Sequence, residues 1–128
     1  MTEDRAASGG GEANATLGVA HYCVDRLVVI TVTGEVDALT APQLSAAIGE
    51  ATVGSPTGVI VDLAEVDFLA SAGLRVLIAT HDLVAASARF GIVASGPATR
   101  RPITALGLDG ILPLHRTLEE ALADMREA

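Results

Sequence analysis

Residues 58–78 constrain the fold more than any other stretch of this chain. GVIVDL (58–63) is a nearly unbroken apolar run, the pattern of a strand covered on both faces. Ser71 follows a short connection, and behind it Leu74, Leu77, Ile78, His81, Val84, Ala85 and Ala88 fall at i, i+3, i+4 spacing. That spacing predicts a helix with one packed face. A doubly covered strand feeding an amphipathic helix requires a sheet with helices packed on it.

The rest of the chain fits that requirement. TLGVAHYC (16–23) and LVVITVT (27–33) read as two strands joined by a turn at Val24, Asp25 and Arg26. GEVDAL (34–39) leads into a helix whose start carries Thr40 and Gln43 at capping-box spacing, with Pro42 in the first turn. Leu44, Ala47, Ile48 and Ala51 form its face, and Gly54-Ser55-Pro56 ends it. Gly91 reads as the C-cap of the helix that Ser71 opens, and IVAS (92–95) as the next strand. A helical stretch runs from Pro97 to about Leu106, closed by Gly107. ILPL (111–114) reads as an edge strand that tolerates Pro113. Thr117 and Glu120 form a second capping box for a last helix packed through Leu118, Ala121, Leu122 and Met125. The predicted order is β-β-α-β-α-β-α-β-α, a sheet that is mostly parallel after its first hairpin. Residues 1–14 are polar and Gly-rich and read as a disordered tail; residues 15–128 read as one domain.

Half of the residues are hydrophobic, with two Phe, one Tyr and no Trp, so the core must be aliphatic. No run approaches the ~20 apolar residues of a membrane span, and the acidic N-terminus is no signal peptide, so a cytoplasmic protein without membrane contact is expected. A net charge of −8 argues against nucleic acid. The single cysteine, Cys23, excludes a disulfide framework and a thiolate zinc cluster. All the basic side chains are Arg, which removes lysine chemistry.

Candidate chemistry is sparse. His21, His81 and His115 share no ligand spacing, so no metal is expected, and nothing calls for a cofactor. Neither G-x-G-x-x-G nor a phosphate-loop motif is present. Ser71 sits in L-A-S-A-G, which lacks the first glycine of a nucleophile elbow and has no evident base. Asp62, Glu65 and Asp67 read as solvated or turn-forming acids. Asp37 differs, because parallel topology brings its loop beside that of Ser71. Ser71 itself has two readings. As an N-cap it satisfies an orphan N–H. As a modified residue it carries about −1.5 to −2 charges where a helix N-terminus favours them. Gly73 then gives a partner close access to the hydroxyl.

VTGEVDALTAPQL (32–44) followed by VIVDLAEVDFLASAGLRVLI (59–78) resembles a STAS domain, and more narrowly the stand-alone bacterial anti-sigma-factor antagonists. The resemblance covers about residues 16–127. It implies an α/β STAS fold over 15–128: a small mixed, mostly parallel sheet of about five strands with about four helices. It also implies a partner, an anti-sigma factor with serine kinase activity, which the antagonist binds so that a sigma factor is freed. The kinase phosphorylates a serine that maps to Ser71, the phosphorylated antagonist lets go, and a serine phosphatase resets it; the antagonist is not an enzyme. The family's acid after the second strand maps to Asp37. Where the family usually has Asp-Ser-Ser/Thr-Gly-Leu, this chain has Ala70-Ser71-Ala72-Gly73-Leu74. The acceptor is kept, its neighbouring carboxylate is replaced by Ala70, and the second hydroxyl by Ala72. The expected interface is Asp37, Ala38 and Thr40 with Ala70, Ala72, Gly73 and Leu74 around Ser71. Three other readings stay open: a STAS scaffold subunit of a transporter or stress complex in which Ser71 is only a cap, a nucleotide-binding sensor, and an enzyme with Ser71 as nucleophile.

Overall fold

The computed structural model describes residues 17–126; the tail expected over 1–14 lies outside them. The elements run β1 (Gly18–Val24), β2 (Leu27–Val36), α1 (Ala41–Ala51), β3 (Gly58–Leu69), α2 (Ser71–Val84), β4 (Arg89–Val93), α3 (Arg100–Ala105), a 3-10 turn (Leu108–Gly110), β5 (Leu114–His115) and α4 (Leu118–Arg126). The sheet order is β1-β2-β3-β4-β5. Among the described strands only the β1–β2 pair is antiparallel; the others are parallel. Among the described residues this is the expected mixed sheet of five strands with four helices.

The hairpin turns on Asp25-Arg26, with Asp25 at φ 58, a left-handed position that Asp tolerates better than most residues. Alternation then divides β2 between two layers. Val28, Ile30, Val32 and Val36 point into a core shared with Leu44 and Ile48 of α1 and Leu74 and Leu77 of α2. Leu27 and Val29 point the other way, to a smaller cluster with Ile60, Val93, Ala121 and Met125 under α4. Each fully buried Val, Leu or Ile contributes roughly 1.5–3 kcal/mol.

Three expectations are corrected. β3 runs six residues past Leu63, to Leu69. In this extension Thr31 and Thr33 face Asp62 and Glu65, while Gly34 and Glu35 face Val66 and Phe68. β3 thus holds an extra residue at each of two bulges, which shifts its buried positions to Leu63, Val66 and Leu69. Asp62 serves the first bulge: its Oδ1 accepts the Ala64 N–H at 3.0 Å.

Second, α2 ends at Val84, not at Gly91. The Ala88 N–H bonds the Val84 carbonyl in a closing turn, and the Arg89 N–H then bonds the Thr57 carbonyl to begin β4. Gly91 lies inside β4, where a Cβ would meet Met125 Cε at 3.0 Å and the His115 ring at 3.2 Å. Its bare backbone lets α4 sit close on the sheet. Third, Pro97 lies in a turn before α3, and Pro113 lies just outside β5 with its carbonyl accepting the Ile92 N–H. The second capping box forms in part: Thr117 Oγ1 accepts the Glu120 N–H, but Glu120 Oε1 accepts the N–H of Arg116, one residue before the N-cap.

Candidate functional site

β2 and β3 end side by side. Val36 pairs with Leu69, and the Ala70 N–H donates to the Val36 carbonyl at 2.8 Å. Each strand then turns into its helix on the same face of the sheet, and α1 packs against α2. The topology therefore brings the Asp37 loop beside Ser71.

The first loop is tied by its own side chains. Asp37 Oδ1 accepts the N–H groups of Leu39 and Thr40, each at 3.0 Å. Thr40 Oγ1 donates to the Glu35 carbonyl at 2.8 Å and accepts the Asp37 N–H at 3.0 Å. The capping box expected at Thr40 and Gln43 is absent: Thr40 has helical torsions and gives no side-chain cap to α1. Its hydroxyl bonds backward into the loop, and the carboxylate of Asp37 takes the turn's N–H groups in its place. Thr40 is only 4 % exposed, so it positions the loop and offers no contact surface. Asp37 is half-buried and turned to its own backbone.

The start of α2 is bare by comparison. Ala70 is its N-cap, extended at φ −88 and ψ 172, with no side-chain cap bond. Ser71 is the first helical residue, one position beyond the N-cap that its capping reading requires. Its side chain is exposed, and its hydroxyl has no hydrogen-bond partner among the described residues. Two expected interface residues face inward. Leu74 is buried in the main core. Gly73 is also buried, and a Cβ there would lie 2.5 Å from Val36 Cγ1 and 2.7 Å from Leu69 Cδ1. Its missing side chain seats α2 on the strand ends and does not open a path to the hydroxyl. Ala38 and Ser71 are exposed, and Ala70 and Ala72 are half-buried.

Two exposed apolar side chains at the site are absent from the residues that sequence reasoning assigns to it. Leu39, in the tied loop, is 84 % exposed, and Phe68, paired with Glu35 at the end of β3, is 51 % exposed. The spacing of Leu63, Val66 and Leu69 turns 67 and 68 outward, but that period has meaning only once the bulges of β3 are seen. Leu39 had no signal, because an apolar residue just before a helix reads as core.

The histidines stay apart: His21 is exposed on β1, His81 packs edge-on to Phe90, and His115 lies in β5. No group of three or more His, Cys, Asp or Glu among the described residues is arranged to hold a metal ion. No described helix is long and apolar enough to cross a membrane.

The STAS domain family model matches residues 19–121. The chain is 44% identical over 111 residues to a protein of Mycobacterium tuberculosis named anti-sigma-F factor antagonist RsfB, covering 87% of this chain and 89% of that one. A crystal structure of an anti-sigma factor antagonist from Mycobacterium paratuberculosis superposes with a TM-score of 0.84 at 43% identity, covering 89% of this chain and 97% of the other. The Bacillus cell fate determinant SpoIIAA in its phosphorylated form gives a TM-score of 0.63 at 25% identity, over 84% of this chain and 98% of that one.

Proposed function

The chain belongs to the STAS domain family, and on that basis we propose that it is an anti-sigma factor antagonist switched by phosphorylation of Ser71. In this reading its partner is an anti-sigma factor with serine kinase activity. Binding to that partner frees a sigma factor. The kinase transfers a phosphoryl group from ATP to Ser71 Oγ, the Oγ proton leaves, and the modified antagonist dissociates. A serine phosphatase restores the hydroxyl by hydrolysis. The chain is substrate and ligand in this cycle and catalyses neither step.

One observation carries the reading: Ser71 presents an exposed hydroxyl that the described fold does not use. A structural cap commits its oxygen to a backbone N–H. Here the helix start is held by the Ala70–Val36 backbone bond and by the fit of Gly73, and no described residue bonds the oxygen. The relatives named as anti-sigma factor antagonists, and the phosphorylated form known for SpoIIAA, support the same assignment.

The switch has a sufficient magnitude. A phosphate of about −1.5 to −2 charges carried into a dry interface costs several kcal/mol of desolvation, which the N-terminus of α2 offsets in part. A net ~3 kcal/mol lowers affinity about 100-fold. The test is phosphosite mass spectrometry on the chain purified from its own host, joined to recovery of its partner on an immobilised Ser71→Ala variant. A phosphate on Ser71 and an ATP-binding anti-sigma factor on the bait are the expected results. An unmodified Ser71 under growth and stress alike, with the chain found in a large assembly, favours the scaffold reading.

A further inference from the structure

We infer that Leu39 is the apolar anchor by which this chain docks its partner, and that the partner offers an uncharged, aliphatic-lined pocket to receive it. The inference rests on the reading of the chain as an anti-sigma factor antagonist, and it names a contact that this reading leaves open.

Exposure is the first observation. Leu39 is 84 % exposed, the most exposed large apolar side chain among the described residues. A lone exposed leucine is ordinary on a protein surface. This one differs in how it is held. Its own N–H is fixed to Asp37 Oδ1, the next N–H is fixed to the same oxygen, and buried Thr40 ties the loop back to the Glu35 carbonyl. The Ala41 N–H bonds the Asp37 carbonyl at 2.8 Å and closes the turn. A loose loop could fold its leucine onto the surface. This loop holds the side chain out in water and has already lost the entropy that docking would otherwise take, which is preorganisation.

Charge is the second observation. The chain carries 16 acidic residues, yet residues 38–42 and 70–74 contain no charged side chain. The nearest carboxylate, Asp37, is turned to the backbone of its own loop. These uncharged segments, flanked by the exposed side chains of Glu35, Asp67 and Arg75, cost little to desolvate, and interface centres are likewise depleted of charge inside a polar rim. The loop is also joined to Ser71: Val36, which precedes Asp37, accepts the N–H of Ala70, which precedes Ser71. A partner seated on Leu39 is therefore placed at the same strand ends from which the Ser71 helix starts. Asp37 and Thr40 act here as positioning residues for Leu39.

Leu83 supplies the control. It is 80 % exposed, but near the C-terminal end of α2, away from Ser71. The probe is the anti-sigma factor recovered on the Ser71→Ala bait, titrated against the full chain and its variants. Leu39→Ala is expected to weaken binding tenfold or more, Leu39→Met to stay within threefold, and Leu83→Ala to leave affinity unchanged. Exposure of both leucines keeps the thermal midpoints of all three variants at the parent value. Leu39→Ala binding as tightly as the parent, while Ser71→Asp binds weakly, overturns the anchor and leaves the antagonist reading standing. If no anti-sigma factor is recovered on the bait, the antagonist reading fails and the anchor fails with it.

Discussion

α1 and α2 leave neighbouring strands at the same end of the sheet, and their N-terminal turns are built in opposite ways. The start of α1 is closed by side chains: Asp37 takes two backbone N–H groups, and buried Thr40 takes one and gives one. The start of α2 has Ala at the N-cap and, next to it, a Ser whose hydroxyl has no hydrogen-bond partner among the described residues. Each helix start is fixed in position, but α2 achieves this with backbone and shape alone. The Ala70 N–H reaches the Val36 carbonyl, and Gly73 lets Val36 and Leu69 into the space a side chain would fill. A capping hydroxyl accepts a backbone N–H, and among the described residues Ser71 makes no such bond, so modifying its oxygen takes no cap from α2.

The largest effect should come from breaking the fit at α2. Gly73→Val puts branched bulk where even a Cβ lies within 2.7 Å of Val36 and Leu69 side-chain carbons. Overpacking of this kind costs typically 1–3 kcal/mol, and the shift of α2 needed to relieve it adds to that. Urea unfolding should show a loss at the top of that range, and Gly73→Ala a smaller one. Full stability of Gly73→Val would mean that α2 is not seated by this glycine.

The start of α1 should come next. Thr40→Val keeps the shape and removes the hydroxyl, which leaves the Asp37 N–H and the Glu35 carbonyl without their partner. Both groups are part-buried, so leaving them unpaired costs about 1 kcal/mol, the low end for a buried group. Thr40→Ser should recover most of it. A Thr40→Val midpoint equal to the parent's would show that the loop is held by Asp37 alone.

These two sites also show what is legible in the sequence. The order of elements and both core faces follow from periodicity, because Leu44, Ile48, Leu74 and Leu77 repeat at helical spacing and 58–61 form a continuous run. Ser71 at the start of a helix beside the Asp37 loop is legible for the same reason: parallel topology places successive strand ends together. The second half of β3 is not, because two bulges turn its period of two into a period of three, a spacing that belongs to neither strand nor helix. Periodicity carries α2 past Val84 because Ala85 and Ala88 keep the stripe, and small residues fit a turn as well as a helix. The inward role of Gly73 is invisible, since a glycine states that a side chain is absent and not on which side the space lies.

A gain should follow from making α2 resemble α1. Ala70 already has the extended torsions of an N-cap, and its N–H is already used, so Ala70→Asp adds an acceptor without moving the chain. A carboxylate there can take an N–H of the first turn and favours the positive end of the helix. The expected stabilisation is about 0.5–1 kcal/mol, read as a higher thermal midpoint. The same variant puts a carboxylate beside Ser71 and so tests whether Ala70 alters recognition by the proposed kinase. A lower midpoint would show that the first turn of α2 has no room for a cap.

The smallest stability effect, and the sharpest test of the comparison, belongs to Ser71→Ala. If Ser71 were the cap of α2, losing its oxygen would cost ~0.5–2 kcal/mol, as caps elsewhere do. With no bond to lose, and with alanine the better helix former by a few tenths of a kcal/mol, the variant should unfold at or slightly above the parent midpoint. Its effect on phosphorylation should be complete. The pairing of a near-zero change in stability with total loss of modification separates a hydroxyl kept free for a kinase from one kept for the helix. Thr40→Val is its mirror image, with a measurable loss of stability and a hydroxyl of the same chemistry one strand away. Should Ser71→Ala lose stability as Thr40→Val does, the starts of α1 and α2 would be alike, and the case for a switch at Ser71 would lose its structural support.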